Sequence, residues 1–365
     1  MTARTLILSV LLVISVLVML QTNTADVTAN HANNISYGAL PKIQTGITTS
    51  TQNGDLSELG QIESSSVNES RLSQSTQEIE SKLLLSEDPY ADKQWALSQI
   101  QPSKLWPVTK GDPEILVAVL DSGIDRNHED LEGRVVAEVN CTTSTSSDDI
   151  YGHGTHIAGI IAANSNNGIG IVGMAPECLL LNVKTANDSG GCRASVVARG
   201  IIWAVDSGAR VINISAELKD YSSELEKAVN YAWSRGAIII AAAGNSGSQL
   251  PVYPAYFENC LAVAATTPED TLAPLSNHGE WVDVAAPGFN IYSTLPSNSY
   301  GYKTGTSFAT AYVSGLAALF FDVVTDINEN GRLNDEVWVA IESNCQQIGV
   351  DGVGRGRIEA PNILS

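Results

Sequence analysis

The sequence predicts an α/β fold, a doubly wound and mostly parallel sheet with helices on both faces. Short apolar runs that end in turn residues recur along the chain, as in EILVAVLDSG, CLLLNVKT and AIIIAAAGN. Such uninterrupted runs are typical of strands that are buried on both faces. Helical patterns such as ASVVARGIIWAVDSG and SSELEKAVNYAWSRG lie between the runs. This alternation indicates parallel strands that are joined by helical crossovers.

Three segments of different composition divide the 365 residues. Residues 1–29 combine a basic start, an apolar run and small residues, which predicts a signal peptide, with a short uncleaved anchor as the alternative. Residues 30–84 are rich in Ser, Thr, Asn and Gln with little periodicity, as expected of a weakly ordered propeptide or linker. Residues 85–365 hold all the predicted strands and are interpreted as one domain.

The formal net charge of −20 argues against nucleic acid and anionic membranes as partners, because both need a basic surface. We expect an exported monomer that contacts a membrane only if its N-terminal segment stays uncleaved. The five cysteines are odd in number and share no Cys-x-x-Cys spacing, so they indicate neither a zinc site nor a disulfide framework. An exported protein could still hold one bridge, and Cys178 with Cys192 is the nearest pair in sequence.

Four polar residues stand where predicted strands end or predicted helices begin: Asp121, His153, Asn245 and Ser307. In open parallel sheets, functional groups gather beyond the carboxyl ends of the strands. Each residue alone has a structural explanation as a turn or cap residue. Together they supply what acyl transfer needs: a serine nucleophile, an imidazole base, a carboxylate that orients the base, and an amide donor for the oxyanion.

The motifs DSGID, HGTHIAG, AAAGN and GTSFA occur in this order and resemble those of the subtilisin-like serine proteases, the subtilases. The resemblance extends over residues 85–365, and the lead-in DPYADKQWALSQ is similar to that of thermitase-type members. It implies a subtilisin-like peptidase domain in which Asp121, His153 and Ser307 form the triad. Asn245 and the Ser307 backbone N–H would form the oxyanion hole. The implied activity is hydrolysis of polypeptide substrates through an acyl-enzyme, without a redox or organic cofactor.

The resemblance also implies a substrate groove. Its residues would be Ser215, Ala216, Glu217, Ala241, Ala242, Ala243 and Gly244. Ala216 and Glu217 replace the Leu and Gly that are usual in the family, so no substrate preference is carried over. Alternation along a strand leaves two orientations open for Glu217, toward the groove or toward solvent. A cis peptide bond is implied at Tyr253–Pro254.

A structural calcium ion is implied by the same resemblance, with Asp88, Asp130 and Asn167 as ligands from three separate segments. Oxygen donors of this kind suit calcium. Ligands from three segments would tie the lead-in to the domain. Because such an ion binds only the native state, its removal should destabilise the protein.

Two other functions are compatible with parts of the sequence. The first is a catalytically silent peptide-binding module on the same fold, against which the intact set of four catalytic residues argues. The second is a metallohydrolase that uses the histidines of HGTH, His153 and His156. No third ligand follows at a zinc-binding spacing, and His156 and Asp125 are otherwise expected only to support the triad.

The segment DINENGRLNDEV near the C-terminus places Asp326, Asn328, Asn330 and Gly331 as in the first half of an EF-hand loop. The twelfth position is Val337, where a bidentate Glu is expected. A polar turn that precedes the helix NDEVWVAIESN is the favoured interpretation, with a second calcium site as the alternative.

Overall fold

A nine-stranded sheet organises residues 87–361, which are the residues that the computed structural model describes. These residues belong to one unit, Leu83–Ser365. The signal peptide predicted for residues 1–29 and the propeptide or linker predicted for residues 30–84 lie outside the described part of the chain.

The strands of the sheet lie in the order β10-β11-β7-β6-β5-β4-β1-β3-β2. Every neighbouring pair is parallel except β10–β11. Two further strands, β8 and β9, form a separate antiparallel hairpin. The bounds are β1 Leu116–Asp121, β2 Val135–Asn140, β3 Leu179–Lys184, β4 Ala209–Ile214, β5 Ile238–Ala242, β6 Cys260–Thr266, β7 Val284–Pro287, β8 Ile291–Leu295, β9 Ser299–Lys303, β10 Cys345–Gln346 and β11 Arg357–Ile358.

Helices cover both faces of the sheet. Their bounds are α1 Trp95–Ile100, α2 Gly154–Ala162, α3 Ala194–Asp206, α4 Ser223–Ser234, α5 Thr306–Val323 and α6 Asn334–Ser343, with short 3₁₀ turns at Ala91–Lys93 and Pro102–Lys104. In β1, Val117 and Val119 join the apolar cluster that contains α2 and α5, whereas Ala118 and Leu120 join the cluster that contains α3 and α4. Side chains alternate along a strand, so this arrangement confirms the predicted doubly wound architecture.

Helix α5 is the longest helix in the described chain, and 89% of it is buried inside the domain. It is apolar and long enough to cross a bilayer by composition alone. Its burial between the sheet and its neighbouring helices identifies it as a core helix, which explains the apolar run of the sequence after GTSFA.

Two local predictions can be compared directly with the structure. The Tyr253–Pro254 peptide bond is cis, as expected. All five cysteines are free thiols, so the bridge considered between Cys178 and Cys192 is not formed. Cys178 is fully buried in the apolar core, and it packs there as a small apolar side chain.

Candidate active site

Asp121 and His153 form a hydrogen-bonded pair at the carboxyl edge of the sheet. Asp121 is the last residue of β1, and His153 immediately precedes α2. The imidazole Nδ1 lies 2.8 Å and 2.9 Å from the two carboxylate oxygens of Asp121. Because a carboxylate can only accept, Nδ1 carries the proton and Nε2 is left as the basic nitrogen.

The charge of Asp121 raises the affinity of this imidazole for a proton. Burial alone lowers the pKa of His153, and the charge and hydrogen bond of Asp121 raise it; the net result is a pKa above the ordinary value of 6.5. An imidazole with such a partner accepts a proton more readily than a free one, as a general base must.

A second buried carboxylate, Asp149, holds the turn that carries His153. Its Oδ1 accepts hydrogen bonds from the Gly152 N–H at 2.7 Å and from the Ser122 hydroxyl at 2.8 Å. Its Oδ2 accepts from the N–H and hydroxyl of Thr155 at 2.8 Å and 2.7 Å. Asp149 therefore satisfies donors on both sides of His153, where the N-terminus of α2 leaves its N–H groups without partners.

Glycine at position 154 lets α2 approach the end of β1. A Cβ there would lie 2.1 Å from the Gly123 carbonyl oxygen and 3.0 Å from the Asp121 Cβ. Only glycine avoids this contact, so the Gly of HGTH is a condition for the Asp121–His153 hydrogen bond.

Ser307 is the second residue of α5 and is almost fully buried. Among the described residues it has no hydrogen bond to His153; the ring of the next residue, Phe308, lies 5.4 Å from the His153 ring between centroids. The backbone carbonyl of Ser307 accepts a hydrogen bond of 3.3 Å from the Ser215 hydroxyl. The Phe308 contact thus places the first turn of α5, which carries Ser307, near His153.

Asn245 lies three residues beyond the end of β5 and is fixed by the start of α5. Its Oδ1 accepts from the Thr306 N–H at 2.8 Å and from the Thr306 hydroxyl at 3.1 Å. The amide oxygen is therefore committed to the residue before Ser307, and the amide NH₂ group is the end that remains available as a donor. Gly244, at φ +102°, provides the turn that brings Asn245 to this position.

The predicted groove residues fall into two groups. Ser215, Ala216 and Glu217 follow the end of β4 and are half-buried, whereas the segment 241–244 is buried. Ala241 lies inside the sheet, where it pairs with Ile214 and Ala262, so it is the least accessible of the set.

Glu217 faces the turn at Gly244 rather than bulk solvent. Its Oε2 accepts a hydrogen bond of 3.0 Å from the Asn245 N–H. A Cβ added to Gly244 would lie 3.1 Å from the same oxygen. A half-buried carboxylate thus borders the backbone of Asn245, which favours the groove-facing orientation.

His156 does not share a metal-binding geometry with His153. Its Nε2 donates a 3.1 Å hydrogen bond to the Gly301 carbonyl, and the centroids of the His156 and Phe308 rings lie 4.7 Å apart. Burial lowers the pKa of His156 to about 3, so this residue stays neutral. Among residues 87–361, no group of three His, Cys, Asp or Glu is placed to hold a metal ion.

The three predicted calcium ligands lie together beside the lead-in. Asp88 and Asp130 are both buried, and the Asn167 amide donates to Asp130 at 3.2 Å. Asp88 accepts from the N–H groups of Asn166, Asn167 and Gly168 at 2.7, 2.9 and 3.0 Å. Burial is the main reason that the pKa of Asp130 is raised to about 7, and the charge of Asp88 adds to it. Two buried carboxylates beside an amide oxygen are a donor set that fits calcium.

Sequence reasoning missed two buried groups next to the pair. One is Asp149. The sequence could have indicated it, because it is an acidic residue four positions before His153 and close to the start of a predicted helix. The other is Lys184, the last residue of β3, which is fully buried and lies opposite Asp121 in the sheet register. Its ammonium donates to the carbonyls of Ser122 and Asp148 and pairs with Asp188 at 3.0 Å. A lysine within an apolar strand gave no indication of this role.

Comparison with known proteins connects this geometry to one family. Residues 112–331 match the family model described as "Subtilase family". The chain is 40% identical to thermitase of Thermoactinomyces vulgaris, over 75% of this chain and 96% of that protein. It is 43% identical to a thermophilic serine proteinase of Bacillus sp. strain AK1, over 71% of this chain and 64% of that protein. The chain thus matches somewhat less than two thirds of the length of this Bacillus relative.

A solved structure agrees with these sequence relatives. A protease from Pseudoalteromonas arctica PAMC 21717 superposes with a TM-score of 0.69 at 28% identity, covering 76% of this chain and 98% of that one. The fold, the order of the motifs and the matches in sequence agree, and the chain belongs to the subtilase family of serine proteases.

Proposed function

We propose that this protein is an exported serine endopeptidase that cleaves polypeptides through an acyl-enzyme. The observation that carries the proposal is the fixed imidazole. His153 Nδ1 lies within hydrogen-bond distance of both Asp121 carboxylate oxygens, which leaves Nε2 as the basic nitrogen. The His153 ring also packs near the ring of Phe308, the residue that comes directly after Ser307 in the chain. Export rests on the predicted signal peptide at residues 1–29, and the relatives' names support a proteinase.

In this mechanism Ser307 Oγ attacks the carbonyl carbon of the scissile peptide while His153 Nε2 takes the hydroxyl proton. Asp121 accepts the Nδ1 hydrogen bond and stabilises the imidazolium that forms. Negative charge develops on the carbonyl oxygen, where the Asn245 NH₂ group and the Ser307 N–H donate to it. His153 then passes its proton to the leaving amine as the peptide C–N bond breaks. Water attacks the acyl-enzyme carbonyl while His153 Nε2 takes a proton from it, and the bond to Ser307 Oγ breaks as His153 returns that proton to the serine.

We also propose that Asp88, Asp130 and Asn167 hold a structural calcium ion. The support is a donor set of two buried carboxylates and one amide from three separate segments. Such an ion would supply positive charge to two carboxylates that share one buried region, and it would take no part in the hydrolysis.

Fluorophosphonate labelling followed by peptide mapping tests the enzymatic proposal. A serine hydroxyl activated by a neighbouring base forms a covalent adduct with this reagent. We expect the label on Ser307 in the folded protein and no label in Ser307→Ala. A folded protein that takes no label at Ser307 and hydrolyses no peptide would instead be a silent peptide-binding module, and one that takes no label but has chelator-sensitive activity would be a metal-dependent hydrolase.

A further inference from the structure

The loop between α5 and α6, residues 326–333, is folded around the carboxylate of Asp326. The Asn330 N–H donates to Oδ1 of Asp326 at 3.1 Å, and the Gly331 N–H donates to Oδ2 at 2.7 Å. Gly331 has φ +80° and Glu329 has φ +58°. These bonds curl the loop so that the polar side chains at alternate positions point the same way.

Those side chains converge on the first turn of α6. The Asn328 and Asn330 amide nitrogens each lie 2.7 Å from Oδ2 of Asp335. Their amide oxygens accept from the Asn330 N–H at 3.0 Å and the Arg332 N–H at 2.8 Å. A half-turn of either side chain would give up that hydrogen bond and present an oxygen atom beside Asp335.

An independent observation comes from oxygen atoms that have no donor. Glu336 is 9% exposed, and its Oε1 accepts from the Ile327 N–H of the loop at 3.1 Å. Its Oε2 is buried and no N–H or hydroxyl group of the described residues donates to it, and the same is true of Asp335 Oδ1 and Asn334 Oδ1. Asp335 and Glu336, which the loop contacts, thus each carry a buried acceptor oxygen without a donor.

Within residues 87–361, no basic side chain forms an ion pair with these carboxyl groups. The nearest basic residue in the sequence, Arg332, directs its guanidinium to the Asn330 Oδ1 and the Ser234 carbonyl. The carboxyl groups of Asp335 and Glu336 are in contact with each other. Two carboxylates in contact repel unless a proton or a cation lies between them, and leaving a buried acceptor unsatisfied costs about 1–3 kcal/mol.

We propose that residues 326–336 bind one calcium ion through Asp335, Glu336 and the side-chain oxygens of Asn328 and Asn330. Carboxylate and amide oxygens are the donors that calcium prefers, in flexible sets of six to eight. Only two of the proposed ligands, Asp335 and Glu336, are carboxylates, and the amide oxygens of Asn328 and Asn330 supply the other side-chain ligands. Counting along an EF-hand loop places the bidentate acid at Val337, which is buried in the core; in this chain Glu336, one residue earlier, supplies the acid.

This site is separate from the candidate active site and from the one proposed beside the lead-in. It depends on different residues, so it can be tested whether or not the protein is a protease.

Terbium luminescence and ion counting test the proposal. The full chain carrying Ser307→Ala, which prevents self-cleavage, is stripped with chelator and titrated with calcium or terbium. Trp338 lies two residues beyond Glu336 and packs against Trp233, so terbium at this site is excitable through tryptophan. We expect Glu336→Gln to weaken terbium binding by about 10–100-fold or more and to remove one calcium ion per chain.

Two variants serve as matched controls. Glu329→Gln changes the same charge on an exposed side chain of the same loop and should leave binding unchanged. Trp95 and Trp106 line the cavity beside Asp88, so terbium at the lead-in is also excited through tryptophan; Asp130→Asn should remove that part of the signal and leave the part that Glu336→Gln removes. If Glu336→Gln does not fold, Asn330→Ala, on an exposed side chain, replaces it with the same expectation. Equal ion counts and equal luminescence in Glu336→Gln and the parent protein would overturn the proposal. A Glu336→Gln protein that is more stable than the parent and binds the same number of ions would also overturn it, because the Asp335 and Glu336 carboxyl groups would then share a proton rather than a cation.

Discussion

Replacing Asn245 by Ala separates its chemical role from its structural one. A single oxyanion donor contributes about 10²–10³ in kcat, a range known for a subtilisin, which is a member of this family. The substitution also removes the acceptor of the Thr306 N–H and hydroxyl. Thr306 is fully buried, so its orphaned donors should lower the free energy of unfolding by about 1–3 kcal/mol. Steady-state kinetics on a peptide substrate and urea unfolding measure the two effects.

Asn245→Asp is the matched variant, because it keeps an acceptor for Thr306 and loses the NH₂ donor. We expect it to retain most of the stability that Ala loses, while kcat falls at least as far and KM changes little. The reasoning fails if Asn245→Ala raises KM alone, or if kcat in Asn245→Asp equals that of the parent protein.

Four further tests concern the base His153, the carboxylate Asp149 beside it, the groove residue Glu217 and the proposed ion site at Asp130. Asp121 raises the pKa of His153 above 6.5, so the base is protonated and inactive at pH values below this raised pKa. A plot of kcat/KM against pH should therefore rise with a midpoint above 6.5, and Asp121→Asn should move that midpoint to lower pH. Asp149→Asn should reduce kcat by about tenfold to 10²-fold with little change in KM, because the turn at His153 loses acceptors; an unchanged kcat and pH profile would contradict a positioning role. Peptides with Lys or Arg near the scissile bond should be cleaved about tenfold faster than matched Leu peptides, and Glu217→Gln should erase the difference; a purely apolar preference in both proteins would contradict it. Chelator should lower the Tm of the parent protein and have a smaller effect on Asp130→Asn; equal shifts would argue against that ion site.

The parts of the site that follow from sequence are those with a repeated local signal. Buried parallel strands leave uninterrupted apolar runs, and their carboxyl ends lie at one edge, so Asp121 and Asn245 could be expected near each other. Strand β2 was missed because it lies at the edge of the sheet and its exposed side chains break the apolar run. The two-residue strands β10 and β11 are too short to show any periodicity.

Partners that are distant in sequence could not be assigned from the chain alone. Asp149 and Lys184 act through hydrogen bonds to backbone groups of other segments, and such bonds depend on the packing of three elements rather than on a motif. The orientation of Glu217 depends on the turn at Gly244, which the order of residues does not specify. The contact between Asp335 and Glu336 likewise follows from the way α6 begins.

The burial of Lys184 gives the domain an internal reporter of opening. Its ammonium has no exposed surface and is held between the ends of β1 and β3. Amine-reactive reagents should therefore modify surface lysines at once and reach Lys184 only when these strands separate. Mass spectrometry can follow the rate at which Lys184 is modified, and this rate would measure how often the sheet opens beside Asp121. The measurement needs no substrate and can be made on the Ser307→Ala protein.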